Sequence, residues 1–233
     1  MITGSDNDNR SSAAELIDCN HLSERKNSSP AKTVAMILGV VLWLVCAGWG
    51  FSWLLNFQSG PGIAARAPAS WPAMAAIQPT PGRFTLVMFL HPRCPCSIAT
   101  ISELAVIMSH CRQLDAYAVF VKPKDYAEGW EKTKLWQQAR ATKGVTVLTD
   151  NLGVEATEFG AFTSGQVMLY NPQGGLVFSG GITSGRGHEG DSAGVDAVEA
   201  IVAGQPAQYK ETSVFGCSLM NVANSGAVQA CHK

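Results

Sequence analysis

The sequence predicts an α/β fold with a central mixed sheet flanked by helices, tethered by one N-terminal transmembrane helix. Between residues 83 and 207, strand-like runs rich in β-branched and aromatic residues alternate with helix-like runs, and the last two strand-like runs flank a hairpin turn signal. Ahead of them, residues 34–56 are uncharged and almost wholly apolar. The first pattern predicts parallel units followed by an antiparallel pair, and the second predicts a membrane span.

Residues 1–33 are predicted to be a disordered cytoplasmic tail. They mix Asp, Asn, Ser, Glu, Arg and Lys with few periodic apolar residues, so they cannot bury enough surface to fold alone. Cys19 in this tail is a free thiol without an assigned role.

Residues 34–56 are predicted to be a transmembrane helix that contacts the lipid bilayer. At ~1.5 Å rise per residue the run is long enough for a ~30 Å hydrocarbon core. A cleavable signal peptide is the alternative, because small residues follow at 64–69. The apolar core and the leader before it are both longer than such signals usually have.

Basic residues predict the orientation of this span. Arg25, Lys26 and Lys32 precede it, whereas only Arg66 follows closely. The positive-inside rule therefore places the N-terminus in the cytoplasm and the folded domain outside it, in the periplasm if the source is bacterial.

The rest of the chain divides by composition. Residues 57–82 are rich in Gly, Ala and Pro and are predicted to be a linker, residues 83–207 the folded domain, and residues 208–233 a C-terminal extension. The predicted elements of the domain follow the order β-α-β-α-β-α-β-β-α. They are a strand at 84–90, a helix at 98–111, a strand at 116–121, a helix at 130–141, a strand at 145–148, a helix at 154–159, strands at 166–170 and 176–179, and a helix at 193–202.

Two cysteines, Cys94 and Cys96, stand between the first strand and the first helix of the domain. Unpaired N–H groups at a helix N-terminus and the helix dipole favour a thiolate over a thiol. Pro95 between the cysteines limits backbone freedom and removes one N–H group. The motif predicts a reactive pair; a permanent disulfide, or two ordinary cysteines in a turn, is the alternative.

This element order, with a cysteine pair after the first long strand, resembles the thioredoxin superfamily over about half of the chain. Residues 89–96 (FLHPRCPC), 159–165 (FGAFTSG) and 179–183 (SGGIT) are similar to the membrane-anchored thioredoxin-like proteins called RedB. The resemblance implies a thioredoxin-like fold in which Cys94 is the exposed attacking thiol. The second cysteine of the family motif would fall on Ser97, but this chain has Cys96 instead. A disulfide across one intervening residue should be more strained and more readily reduced.

The resemblance also implies which residues surround the cysteines. The loop before the penultimate strand should lie beside them, and it reads Thr163-Ser164-Gly165, without the proline that the family usually carries there. The turn after the last strand should bring Arg186 and His188 near Cys94, where positive charge would stabilise a thiolate. His91 is closer in sequence and is expected to touch the thiols. The residues expected to line the site are His91, Pro92, Arg93, Pro95, Ser97, Thr163, Ser164, Gly165, Arg186 and His188.

Cys217 lies in an apolar stretch of the C-terminal extension. It could be a resolving thiol for Cys94, pair structurally with Cys231, or be a buried free cysteine. Cys111, on the apolar face of the first domain helix, is expected to belong to the core.

The function that these features predict is an extracytoplasmic, membrane-tethered thiol–disulfide oxidoreductase that acts on protein thiols and disulfides without a cofactor, with Cys94 and Cys96 as catalytic residues. The first alternative is a copper chaperone of the Sco type, with Cu(I) on Cys94, Cys96 and His188. Against this alternative, chaperones of that type carry a Cys-x-x-x-Cys motif instead of Cys-Pro-Cys. The second alternative is a non-catalytic thioredoxin-like binding module. A formal net charge of −1 argues against nucleic acid as a partner.

Overall fold

A computed structural model describes residues 30–63 and 65–220 of the chain. The chain divides into two units, one ending at Phe51 and one beginning at Ser52. Residues 1–29 of the predicted tail, with Cys19, and the C-terminal residues from 221 onward, with Cys231, lie outside the described residues.

The first described element is helix α1, Pro30–Ser59. It begins within the predicted tail and ends within the predicted linker, so a helix is confirmed here with wider bounds than the predicted 34–56. Its stretch Pro30–Asn56 is long and apolar enough to cross a membrane, and it lies near the N-terminus, where a signal sequence would have the same properties.

The folded unit has a five-stranded mixed sheet in the order β3-β2-β1-β4-β5. β1 pairs in parallel with β2, and β2 with β3, whereas β1–β4 and β4–β5 are antiparallel. The predicted order of elements is therefore confirmed. The elements are β1 Phe84–Leu90, α2 Ser97–His110, β2 Leu114–Lys122, α3 Lys134–Ala141, β3 Val145–Asn151, α4 Val154–Glu158, β4 Gln166–Tyr170, β5 Leu176–Gly180 and α5 Ala193–Val202.

Helix α3 differs most from its prediction, because it begins at Lys134 instead of at residue 130. Residues 127–132 form turns instead: the N–H of Trp130 donates to Ala127 O, and that of Lys132 donates to Gly129 O. Gly129 has a φ of 82°, which breaks a helix. The indole of Trp130 is directed to the region of the cysteines instead of to the helix face.

The central strand β1 divides the core into two layers. Leu86, Met88 and Leu90 pack on one face with residues of α2, α3 and α5. Val87 and Phe89 pack on the other face with residues of α4. Because side chains alternate along a strand, β1 is buried on both faces and holds the turn that follows it in a fixed place.

The predicted linker at 57–82 needs correction, because much of it packs on the domain. The N–H of Gly62 donates to Val214 O at 2.8 Å. The Trp71 ring meets Phe159 and Tyr170 edge-on, with centroids 5.2 and 4.9 Å away. Ala75 and Ile77 are buried in the core layer that contains Phe89. These contacts use single apolar side chains and backbone groups, which leave no periodic pattern in a sequence.

The predicted boundary at residue 207 is also too early. Glu211 forms a parallel bridge with Ser179, and Ser218 an antiparallel bridge with Thr163. Leu219 is buried in the core. The described part of the C-terminal extension is therefore an integral part of the domain.

We predict that Asp150→Ala lowers the free energy of unfolding by about 1–2 kcal/mol. The buried Asp150 carboxylate accepts hydrogen bonds from the N–H groups of Glu155 and Ala156 in the first turn of α4, at 3.1 and 2.9 Å. Urea unfolding of the full chain in detergent, followed by circular dichroism, measures the change. The exposed Asp125 is the matched control, and equal effects of Asp125→Ala and Asp150→Ala would refute the prediction.

Candidate active site

The cysteine motif forms a tight turn between β1 and α2. Two backbone hydrogen bonds form this turn: Cys94 N donates to His91 O at 3.0 Å, and Ser97 N donates to Cys94 O at 3.1 Å. Cys96 is the residue that precedes α2. Cys94 therefore sits at the carboxyl end of a central strand and at the start of a helix, as predicted. The expectation that its thiol is exposed is wrong, because Cys94 is only 1% exposed.

The loop Thr163–Gly165 lies beside the motif, which confirms the position expected for it. Ser164 Oγ is 2.8 Å from Ser97 Oγ, and it accepts a hydrogen bond from His91 N at 2.8 Å. Gly165 N donates to Phe89 O at 2.8 Å, with a φ of 92° that favours glycine. Both Ser97 and Ser164 are buried, so these hydroxyl groups satisfy each other within the protein.

Cys217 is in contact with Cys94: their Sγ atoms are 3.2 Å apart. The segment that carries Cys217 pairs with the loop, and Ser164 N donates to Cys217 O at 2.8 Å. Of the three roles left open for Cys217, the structure is compatible with a resolving thiol; Cys231 lies outside the described residues.

The surroundings of Cys94 favour its thiolate. Burial opposes ionisation, but it is outweighed by hydrogen bonds from the backbone and side chain of Cys217, from the Ser97 side chain and from the Cys96 backbone, so the pKa of Cys94 is lowered. These donors are positioned before any charge forms. The arrangement predicts that Cys94 is the first of the three site thiols to ionise.

The other two thiols are held in the protonated form. Burial and the nearby Cys94 raise the pKa of Cys96. Burial, followed by the hydrogen bond and charge of Cys94, raises the pKa of Cys217 to about 12. Once one of the three thiols is ionised, its negative charge therefore opposes ionisation of the other two.

Arg186 acts on the other two thiols of this cluster: its positive charge favours ionisation of Cys96 and Cys217 and so partly offsets the rise in their pKa values. Its guanidinium donates to Gly216 O at 2.5 Å and to Gly60 O at 3.3 Å. His188 is exposed, and its N–H donates to Gly185 O at 3.3 Å. The turn after β5 thus brings Arg186 to the site, as expected, while His188 faces solvent.

An aromatic wall that the sequence analysis missed flanks the motif. The rings of His91 and Trp130 meet edge-on with centroids 5.7 Å apart, and Tyr126 stacks on Trp130 at 4.2 Å. The guanidinium of the exposed Arg93 lies 5.2 Å from the Trp130 ring centroid. Burial and the charge of Arg93 lower the pKa of His91. The sequence analysis missed this wall because the spacing of Trp130 fitted the predicted helix at 130–141, whereas α3 begins at Lys134.

The remaining predicted site residues lie in or beside the turn. The buried Pro92 accepts a hydrogen bond from Thr133 Oγ1 at 3.0 Å, and Thr163 Oγ1 donates to Ile63 O at 3.0 Å. Pro95 is exposed at the tip of the turn. Among the described residues, no group of three or more His, Cys, Asp or Glu side chains is arranged to hold a metal ion.

Comparisons with known proteins bear on the fold. No protein-family model and no curated protein matches the chain. A solved structure of a hypothetical protein from Sinorhizobium meliloti 1021 is 21% identical, with 69% of this chain and 93% of that chain covered and a TM-score of 0.49. An uncharacterized conserved protein from Geobacillus kaustophilus is 17% identical, with 70% and 93% covered and a TM-score of 0.50. A secreted disulfide oxidoreductase from Mycobacterium tuberculosis is 14% identical, with 53% and 83% covered and a TM-score of 0.40.

The mixed sheet β3-β2-β1-β4-β5, with helices on both faces, defines the class of this domain. It is a thioredoxin-like fold, as the sequence analysis predicted. Fold alone does not define a reaction, so the function has to be argued from the cysteine site.

We predict that Cys217→Ala raises the pKa of Cys94. The variant removes the thiol that donates to the Cys94 thiolate, while the donating N–H of residue 217 remains. The ultraviolet absorbance of thiolates, titrated on the reduced full chain with Cys94→Ser as the baseline, measures the shift. Cys111→Ala is the control, because Cys111 lies at the far end of α2. An unchanged or lower Cys94 midpoint in Cys217→Ala would contradict the hydrogen-bond assignment.

Proposed function

We propose that the chain is a membrane-anchored thiol–disulfide oxidoreductase whose folded domain lies outside the cytoplasm. One observation carries the proposal: Cys94, at the start of a helix and with a lowered pKa, has its sulfur 3.2 Å from the sulfur of a second cysteine. A thiolate is the attacking species in thiol–disulfide exchange, and a second thiol in contact can release the partner without a cofactor. The chain is left with an internal disulfide, which a dithiol of another protein reduces.

The reaction begins when the Cys94 thiolate attacks a disulfide of a partner protein. A bond forms between Cys94 Sγ and one partner sulfur, and the other partner sulfur leaves as a thiolate that takes up a proton. A second thiol of this chain then attacks Cys94 Sγ and releases the reduced partner. Cys96, as in the predicted Cys-Pro-Cys pair, and Cys217 are the two candidates for this step.

The apolar helix α1 supports the anchored location. Its basic residues precede the span, so the domain would lie on the oxidising side of the membrane, where a disulfide persists. A reactive thiol pair in that compartment meets proteins whose disulfides form and rearrange. Protein thiols and disulfides are therefore the proposed partners.

We predict that Cys94→Ser reduces disulfide exchange to the rate of the reagent alone. Serine cannot form a stable bond to sulfur, so the first step is lost. Reduction of insulin disulfides by dithiothreitol, with the full chain in detergent as catalyst, measures the rate. Cys111→Ser is the matched control, because Cys111 belongs to the core layer under α2.

The same samples test the Sco-type alternative. Cu(I) bound in a one-to-one ratio and lost on replacing either Cys94 or Cys96, without any exchange activity, would overturn the oxidoreductase proposal. Failure to trap a partner on Cys94 in cells that express a Cys96→Ser, Cys217→Ser variant would count against it independently.

We predict that the chain stays in the membrane when bacterial cells that express it are extracted with alkaline carbonate. The uncleaved apolar helix makes removal from lipid unfavourable. A membrane-impermeant protease added to spheroplasts should digest the folded domain, because it lies outside. Release of a shortened chain, whose mass lacks α1, would show a cleaved signal peptide instead, and protection from the protease would reverse the proposed orientation.

A further inference from the structure

Residues 214–219, here called the C-terminal segment, lie along the loop beside the cysteine motif like an added strand. Ser164 N donates to Cys217 O at 2.8 Å, and Leu219 N donates to Phe162 O at 2.9 Å. Thr163 and Ser218 form the antiparallel bridge between them. An extended peptide that binds to exposed backbone makes hydrogen bonds of this antiparallel kind.

Contacts at both ends hold the segment in register. Its first residue, Val214, is 4% exposed and accepts the hydrogen bond from Gly62 N, and its last, Leu219, is 1% exposed. Between them Arg186 donates to Gly216 O. The register brings Cys217 Sγ to 3.2 Å from Cys94 Sγ, and Cys94 is 1% exposed.

The residue before Cys217 has to be small. A Cβ added to Gly216 would overlap the carbonyl oxygen of Ser164, which is backbone and cannot rotate away. The close approach of Gly216 is what allows Cys217 to reach Cys94. Any peptide that used the same edge in the same register would meet the same restriction.

We propose that the C-terminal segment is a built-in substrate mimic: it occupies the binding site of an extended peptide that presents a cysteine preceded by glycine, and it holds Cys217 as the resolving thiol of Cys94. The inference rests on the proposed function and assigns its substrate class and its second thiol. A partner peptide displaces the segment, forms the mixed disulfide with Cys94, and is displaced in turn when the segment returns.

The electrons balance as follows. The partner disulfide is the oxidant; it accepts two electrons and leaves as two thiols. Cys217 Sγ attacks Cys94 Sγ, a Cys94–Cys217 bond forms, the bond from Cys94 to the partner breaks, and the Cys217 proton passes to the departing partner sulfur. The chain, oxidised by two electrons, then needs reduction by a dithiol of a second protein.

The electrostatics of the site fit this order of events. While Cys94 is a thiolate, its charge and hydrogen bond help keep Cys217 protonated. A mixed disulfide on Cys94 removes both effects, whereas the charge of Arg186, which favours ionisation of Cys217, remains. Cys217 therefore becomes a better nucleophile only once Cys94 carries a partner.

The first test maps the disulfide of the full chain in detergent after oxidation with glutathione disulfide. Mass spectrometry should find Cys94 bonded to Cys217 in the natural chain and in Cys96→Ser. Gly216→Ala should reduce this bond, and speed the alkylation of reduced Cys94, by at least about tenfold, the factor that corresponds to ~1.4 kcal/mol of steric overlap. Gly185→Ala is the matched control, because its added Cβ meets nothing closer than 3.8 Å.

A second variant guards against misfolding of Gly216→Ala. Cys217→Ser keeps the segment in place, so Cys94 should stay slow to alkylate although the intramolecular bond is lost. A Cys94–Cys96 bond in place of Cys94–Cys217, or equal alkylation of Cys94 in Gly216→Ala and Gly185→Ala, would overturn the inference while leaving exchange at Cys94 intact.

The substrate class is tested with two peptides, each carrying its cysteine as a disulfide with a small thiol. One has the sequence of residues 214–219 (VFGCSL) and the other has valine in place of its glycine. On the Gly216→Ala, Cys217→Ser double variant, the glycine peptide should be trapped on Cys94 at least about tenfold faster. Equal rates would overturn the substrate class alone. Reaction of Cys94 with neither peptide would instead overturn the proposed function, and the substrate class with it.

Discussion

The site depends on the buried hydroxyl and backbone of Ser164, which connect the three chain segments that meet there. Its Oγ accepts from the backbone at His91 and pairs with Ser97, so it fixes both ends of the cysteine turn. Its N–H donates to Cys217 O, so it also fixes the C-terminal segment. Because buried polar groups are costly when unpaired, these hydrogen bonds favour the arrangement in which Cys94 Sγ and Cys217 Sγ lie 3.2 Å apart.

The electrostatics of the cluster follow from this geometry. Burial alone would raise the pKa of all three site thiols, and for Cys96 and Cys217 it does. Cys94 is the exception because the hydrogen bonds that Ser164 positions, through Ser97 and through the segment that carries Cys217, converge on its sulfur. A single thiolate is thus stabilised at one defined atom, whereas a second charge is opposed by the first. All three groups are cysteines, so it is the hydrogen bonds around Cys94 that make it the nucleophile.

The regular part of this fold could be predicted from the sequence, and the irregular part could not. β1, β4 and α5 have the predicted bounds, because strong strand or helix periodicity ends there at turn residues. The expected position of Thr163–Gly165 beside the cysteines came from the resemblance to the thioredoxin superfamily. The packing of residues 60–63, 65–78 and 210–219 was missed, since those segments are held by single side chains and by backbone hydrogen bonds, which have no period. The burial of Cys94 was missed as well, because the contact with Cys217 comes from such a segment.

Two departures from the thioredoxin pattern are complementary in the structure. Ser97 stands where the second cysteine of the motif would fall, and the loop Thr163–Gly165 lacks the usual proline; the hydroxyl of Ser97 pairs with that of Ser164 at 2.8 Å. A proline at residue 164 would remove this hydroxyl and the N–H that donates to Cys217, and a proline at residue 165 would remove the N–H that donates to Phe89. The N–H of Ser164 instead donates to Cys217 O, and the thiol of Cys217 lies 3.2 Å from that of Cys94. The serine at position 97 and the absence of a proline from the loop therefore act together, because one allows the hydroxyl pair with Ser164 and the other leaves the N–H that holds the segment of Cys217.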